Sequence, residues 1–148
     1  MAPAGWSPSR GSRLAAAAFL VSQLGVVFGG SVILERMLGD AAFVAHPHMA
    51  DLWRAGHSHA AVLLILALAC LPWIDVARLS EAARWFARVA ISSASITFPL
   101  AFFFAVPTPA VERPGPALWL LWPGGALFAA GIVVLTIGLL RRERDDGA

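Results

Sequence analysis

All four histidines of this chain fall within fourteen residues: His46 and His48 flank Pro47, and His57 and His59 flank Ser58 where an uncharged stretch begins. Ionisable side chains inside an apolar span are costly, so they are usually turned inward, paired and tied to function. A neutral imidazole ligates copper, zinc, iron or nickel through one ring nitrogen. It also serves as an axial ligand to heme iron, and it can titrate near neutral pH as a proton or pH sensor.

On a regular helix, side chains two residues apart point about 200° from each other, so His57 and His59 cannot share one metal ion there. The expectation is that His59 turns inward as a ligand and His57 stays at the rim. In an extended segment residues i and i+2 share a face, and Pro47 pushes His46 towards that conformation. His46 and His48 with one or both of His57 and His59 then form a candidate nitrogen-rich metal site. Glu35, Asp40 and Asp51 are the carboxylates near enough in sequence to accept the second N–H of a ligating ring. Met37 and Met49 add a softer donor that favours copper over zinc. Cys70 is the only cysteine, and with no CxxC or CxxCH motif a heme would be held non-covalently, as heme b, by His59 or His57. Its second axial ligand would come from His46 or His48, a partner subunit or water. The bland alternative makes all four histidines interfacial side chains reaching for water.

The elements that position these residues are membrane helices. The 148 residues are 59% hydrophobic and 14% charged, with mean hydropathy +0.74, far from the composition of a soluble domain. Apolar windows predict an all-α, four-transmembrane-helix bundle in one integral membrane domain, 1–148, with helices over about 14–34, 56–74, 86–107 and 116–140. The first window exceeds the apolar core of a signal peptide and reads as a retained helix. No Walker, Rossmann, GxSxG or HExxH pattern occurs, so soluble nucleotide or hydrolase chemistry is unsupported, and whether the chain is an enzyme stays open.

All eleven basic residues are arginine. Arg10, Arg13, Arg78, Arg84, Arg88, Arg141, Arg142 and Arg144 fall on one side of the spans, against Arg36, Arg54 and Arg113 on the other. The positive-inside rule therefore puts both termini in the cytoplasm and the histidines at the outer face of a bacterial inner membrane. The arginines are topology signals with no aromatic interleaving, so nucleic acid is not an expected partner. Lipid is, and the small-residue stripe Ala18, Ser22, Gly25, Gly29 allows close packing within the bundle, in a homo-oligomer or in a larger complex. Gln23 with Ser93 and Thr97 could line a polar path, which ranks as a third reading.

The run His57-Ser58-His59-Ala60-Ala61-Val62-Leu63-Leu64 resembles the His-x-His-aliphatic segment of small four-helix bacterial membrane proteins, which in turn look like a fragment of the heme–copper oxidase catalytic subunit. In those subunits a helix 2 histidine ligates the low-spin heme, so the resemblance nominates His57 or His59 as one heme ligand. The later-helix histidines of the family are missing, which argues against an oxygen-reducing binuclear centre. The first reading is a membrane protein with an outward histidine site for heme or a transition metal, accessory to respiratory or metal-handling complexes. The alternative is a structural or interaction subunit with no cofactor.

Overall fold

The computed structural model describes residues 7–46, 48–106 and 113–141. Four of its helices are long and apolar enough to cross a membrane: α1 (Arg10–Gly39), α3 (Met49–Val76), α4 (Glu81–Phe104), and α5 (Leu121–Leu140) extended by a 3-10 turn over Pro116–Leu120. A five-residue helix, α2 (Ala41–Ala45), links α1 to α3. No strand occurs among the described residues. The chain is thus an all-α, four-span bundle of the kind expected for a multi-pass membrane protein.

α1, α3 and α4 start before their apolar windows, with polar residues in the added turns, and α4 ends at Phe104 rather than at 107. Ser9 accepts from the Ser12 N–H at the start of α1, and Ser80 accepts from the Ala83 N–H at the start of α4, as N-caps do. α3 starts at Met49 rather than at 56, so Gly56, His57 and His59 lie inside a regular helix. Its N-cap residue is His48, held at φ 72 with no side-chain cap bond. A side chain with a Cβ is strained there. His48→Gly is expected to raise stability by up to about 1 kcal/mol, the strain relief exceeding the added chain entropy. A melting temperature at or below that of the parent protein would contradict this.

Packing runs mainly between neighbours: α1 on α3, α3 on α4 and α4 on α5. α4 is the central element, and the face it buries is small: Ala87, Ala90, Ala94 and Ala101 are each at most 2% exposed. α5 answers with Gly124, Gly131 and Gly138, all buried. Their seven-residue spacing keeps them on one side of the helix, where they admit close backbone approach. A Cβ at Gly131 would stand 2.7 Å from Ile91 Cγ1, and one at Gly138 would stand 2.6 Å from Leu79 Cγ. The core formed by Phe19, Leu64, Ala67, Leu71, Ile74, Ile91 and Leu135 fills the half of the bundle nearer Val76 and Glu81.

That end is also closed by a polar clasp. Asp75, in the last turn of α3, accepts from the Ser9 N–H at 2.9 Å, the Ser12 hydroxyl at 3.0 Å and Arg88 Nη2 at 3.0 Å. Arg88 also donates from Nε to Ser12 Oγ and from Nη2 to Ser9 Oγ, both at 3.3 Å. The Asp75 and Arg88 side chains are 6% and 12% exposed. The clasp ties the first turn of α1 to α3 and α4.

Candidate functional site

The histidine-bearing end is built by the first turns of α3, the last turns of α1 and α4, and α2. α2 is set by Asp40, which accepts from the Phe43 N–H at 3.0 Å and from Arg36 Nη1 at 3.1 Å. The Phe43 N–H, followed by Arg36, holds the Asp40 carboxyl below the usual carboxylate range. Asp40 is therefore engaged as a helix cap. Phe43, buried, meets Trp53 edge to face at 5.7 Å, and Trp53 meets Phe103 in the same way at 6.1 Å. This aromatic chain seats α2 over the start of α3.

His57 and His59 emerge from different faces of α3, as their spacing requires. His57 is half-buried and faces α1. Its ring occupies the space over Gly30, where a Cβ would stand 2.8 Å from Cε1 and 2.9 Å from Nε2. The ring lines a groove of about 470 Å³ between α1, α3 and α4, together with Trp53, Gly29, Ser95, Pro99 and Phe103. No hydrogen bond to the His57 nitrogens occurs among the described residues.

His59 lies over α4, stacked on Phe102 with ring centroids 4.9 Å apart at 23°, and 5.2 Å from Phe98. Its Nδ1–H donates to the Ala55 carbonyl at 2.8 Å, one turn back along α3. A carbonyl can only accept, so this bond places a proton on Nδ1 and leaves Nε2 as the nitrogen that can carry a lone pair. Phe98 in turn rests against Gly124 and Gly125 of α5. His59 is exposed and His57 half-buried, the reverse of the inward and rim positions expected from the sequence. The reason is that α1, whose main packing partner is α3, covers the His57 face.

His48 is exposed at the start of α3. His46 borders a separate cleft with Arg36, Phe43, Met49 and Trp53. Glu35 is exposed on α1 beside Arg36, and Asp51 is exposed, 3.9 Å from Arg54. Neither His57 nor His59 is oriented by a carboxylate among the described residues. No three His, Cys, Asp or Glu side chains converge to hold a metal ion among those residues.

The donor set therefore fits a polyhedral metal site poorly and a single axial imidazole better. His59 meets two requirements of such a ligand: the ring orientation is fixed by the Nδ1 bond, as outer partners of ligating histidines do, and aromatic plates stand beside it. Gly25 and Gly29, from the small-residue stripe of α1, face open space, since an added Cβ would meet nothing within 4 Å at either. Gln23 donates weakly to the Ala61 carbonyl at 3.5 Å. Thr97 and Ser93 bond back to carbonyls of their own helix, at Ser93 and Ala90. The clasp of Ser9, Ser12, Asp75 and Arg88 was not foreseen from sequence, although an aspartate closing an apolar span is itself a signal. No family model, curated protein or solved structure matches the chain.

Proposed function

We propose that the chain is a multi-pass protein of a bacterial inner membrane that binds heme b through His59, near its outer face. The observation that carries this reading is the Nδ1–H bond of His59 to the Ala55 carbonyl, which leaves the Nε2 lone pair available for a ligand. Phe98 and Phe102 support it, because they orient the imidazole and offer apolar surface beside it. The orientation rests on the arginine asymmetry, eight on the side of the termini and three on the side of the histidines. When bound, the heme supplies one-electron redox chemistry; the chain supplies the ligand, fixes its tautomer and limits water at the ring faces. A second ligand would come from His46 or His48, from a partner subunit or from water, since α1, α4 and α5 carry no histidine.

A second reading, a subunit that packs against a larger membrane assembly, is favoured by the unfilled space at Gly25 and Gly29 on an α1 that is largely exposed. An absorption spectrum and metal analysis of detergent-purified protein separate the two. A Soret band with stoichiometric iron is expected. Bound copper or zinc without a Soret band would replace heme by a transition metal, and neither heme nor metal would leave the interaction subunit standing.

A further inference from the structure

The arginine-rich end of the bundle has no part in the heme reading. Its two described acids are already met: Arg88 pairs with Asp75 at 3.0 Å and Arg84 with Glu81 at 3.1 Å. Arg10 and Arg13 are exposed and meet no acid among the described residues. Three residues apart at the start of α1, they are neighbours on one face of the helix. The Ser12 hydroxyl, bonded to Asp75 at 3.0 Å, anchors that turn of α1 beside the last turn of α3. The two uncompensated guanidiniums are thereby held where the apolar span ends.

Arg13 also lines a groove of about 200 Å³ in the seam between α1 and α3. Apart from Ser12, whose hydroxyl is committed to Asp75, the remaining lining is apolar: Pro8 and Ala16 on the α1 side, and Leu68, Leu71 and Pro72 on α3. Pro8 and Pro72 are exposed, so the groove opens at the surface of the bundle. Its volume falls below the roughly 300–1,000 Å³ of pockets that enclose a small molecule, and suits one segment of a chain laid along the seam. Lipid bathes every outer face of a membrane bundle, but here an apolar trough runs up to a pair of unpaired cations. That combination matches an amphiphile with an anionic head and a hydrocarbon chain. Guanidinium binds phosphate oxygens in a fork, and basic pockets between membrane helices on the cytoplasmic side recognise anionic lipid headgroups.

We propose that the seam of α1 and α3 holds one anionic phospholipid of the leaflet at the arginine-rich end, with its phosphate on Arg13 and Arg10 and the first part of one acyl chain along Ala16, Leu68 and Leu71. The site is independent of His59.

The test titrates phosphatidylglycerol and phosphatidylcholine of identical acyl chains into detergent-solubilised full-length protein and reads one-to-one adducts by native mass spectrometry. Each arginine is expected to contribute about fivefold, so phosphatidylglycerol should bind about 25-fold more tightly than phosphatidylcholine. Arg13→Gln and Arg10→Gln replace exposed side chains outside the clasp; each should weaken phosphatidylglycerol about fivefold and leave phosphatidylcholine unchanged. Arg141→Gln, beyond the end of α5, should leave both lipids unchanged. Glycerol 1-phosphate in about hundredfold excess should not displace phosphatidylglycerol, since it lacks the chain. Equal binding of the two lipids, or a loss in Arg141→Gln equal to that in Arg13→Gln, would reduce the effect to diffuse charge and overturn the proposal. Displacement by glycerol 1-phosphate would show that the headgroup binds without the groove, and would overturn it as well.

Discussion

Replacing Arg88 by alanine is expected to destabilise the protein by about 3–5 kcal/mol, the usual cost of leaving one member of a buried ion pair unpaired. Asp75 would keep its two bonds from Ser9 and Ser12 and lose the only cation that meets it among the described residues. Ser9 and Ser12 would each lose a guanidinium donor. Because these serines form the first turn of α1, the damage should spread along that helix, which is little buried elsewhere. The effect is read as the loss of melting temperature in detergent, with proteolysis near α1 as a second signal. Replacing both partners, Asp75→Leu with Arg88→Leu, should recover much of the loss, because it removes the stranded charge. An Arg88→Ala protein as stable as the parent would show that the clasp contributes little.

The second large effect is expected at Gly131. A leucine there must displace Ile91 and approach the α4 backbone, since even a Cβ falls 2.7 Å from Ile91 Cγ1 and 3.3 Å from Ile91 N. Overpacking of this kind costs about 1–3 kcal/mol and more where backbone must move. Gly25→Leu serves as the control: its Cβ meets nothing, so its effect should stay within about 0.5 kcal/mol. Thermal unfolding of the two variants side by side decides the matter. Equal losses would mean that α5 does not dock on α4 through its glycines.

These two sites mark where the sequence was hard to read. The four spans were legible, since an apolar run of membrane length has few alternatives. The opposed directions of His57 and His59 were legible too, from helical period alone. Which of them would be covered was not, because that depends on α1 packing against α3, a choice made by shape rather than pattern. The stripe through Gly25 and Gly29 drew attention as a packing face, yet both residues meet open space, while Gly124, Gly131 and Gly138 do the packing. Their seven-residue spacing was available in the sequence. Arg88 reads equally well as a topology signal, and its pairing with Asp75 across two helices emerges only when the ends of α1, α3 and α4 meet.

The two histidines of α3 stand in different surroundings. His59 bonds the Ala55 carbonyl and stacks on Phe102, whereas His57 faces the groove between α1, α3 and α4.

The most direct test of the His59 assignment is a heme titration followed by the shift of the Soret band, comparing the parent protein with His59→Ala and His57→Ala. The account predicts that His59→Ala weakens heme binding by at least about tenfold, as losing a ligand must exceed losing its outer partner, while His57→Ala leaves it unchanged. Parent-like heme affinity in His59→Ala, or loss of affinity in His57→Ala alone, would contradict it.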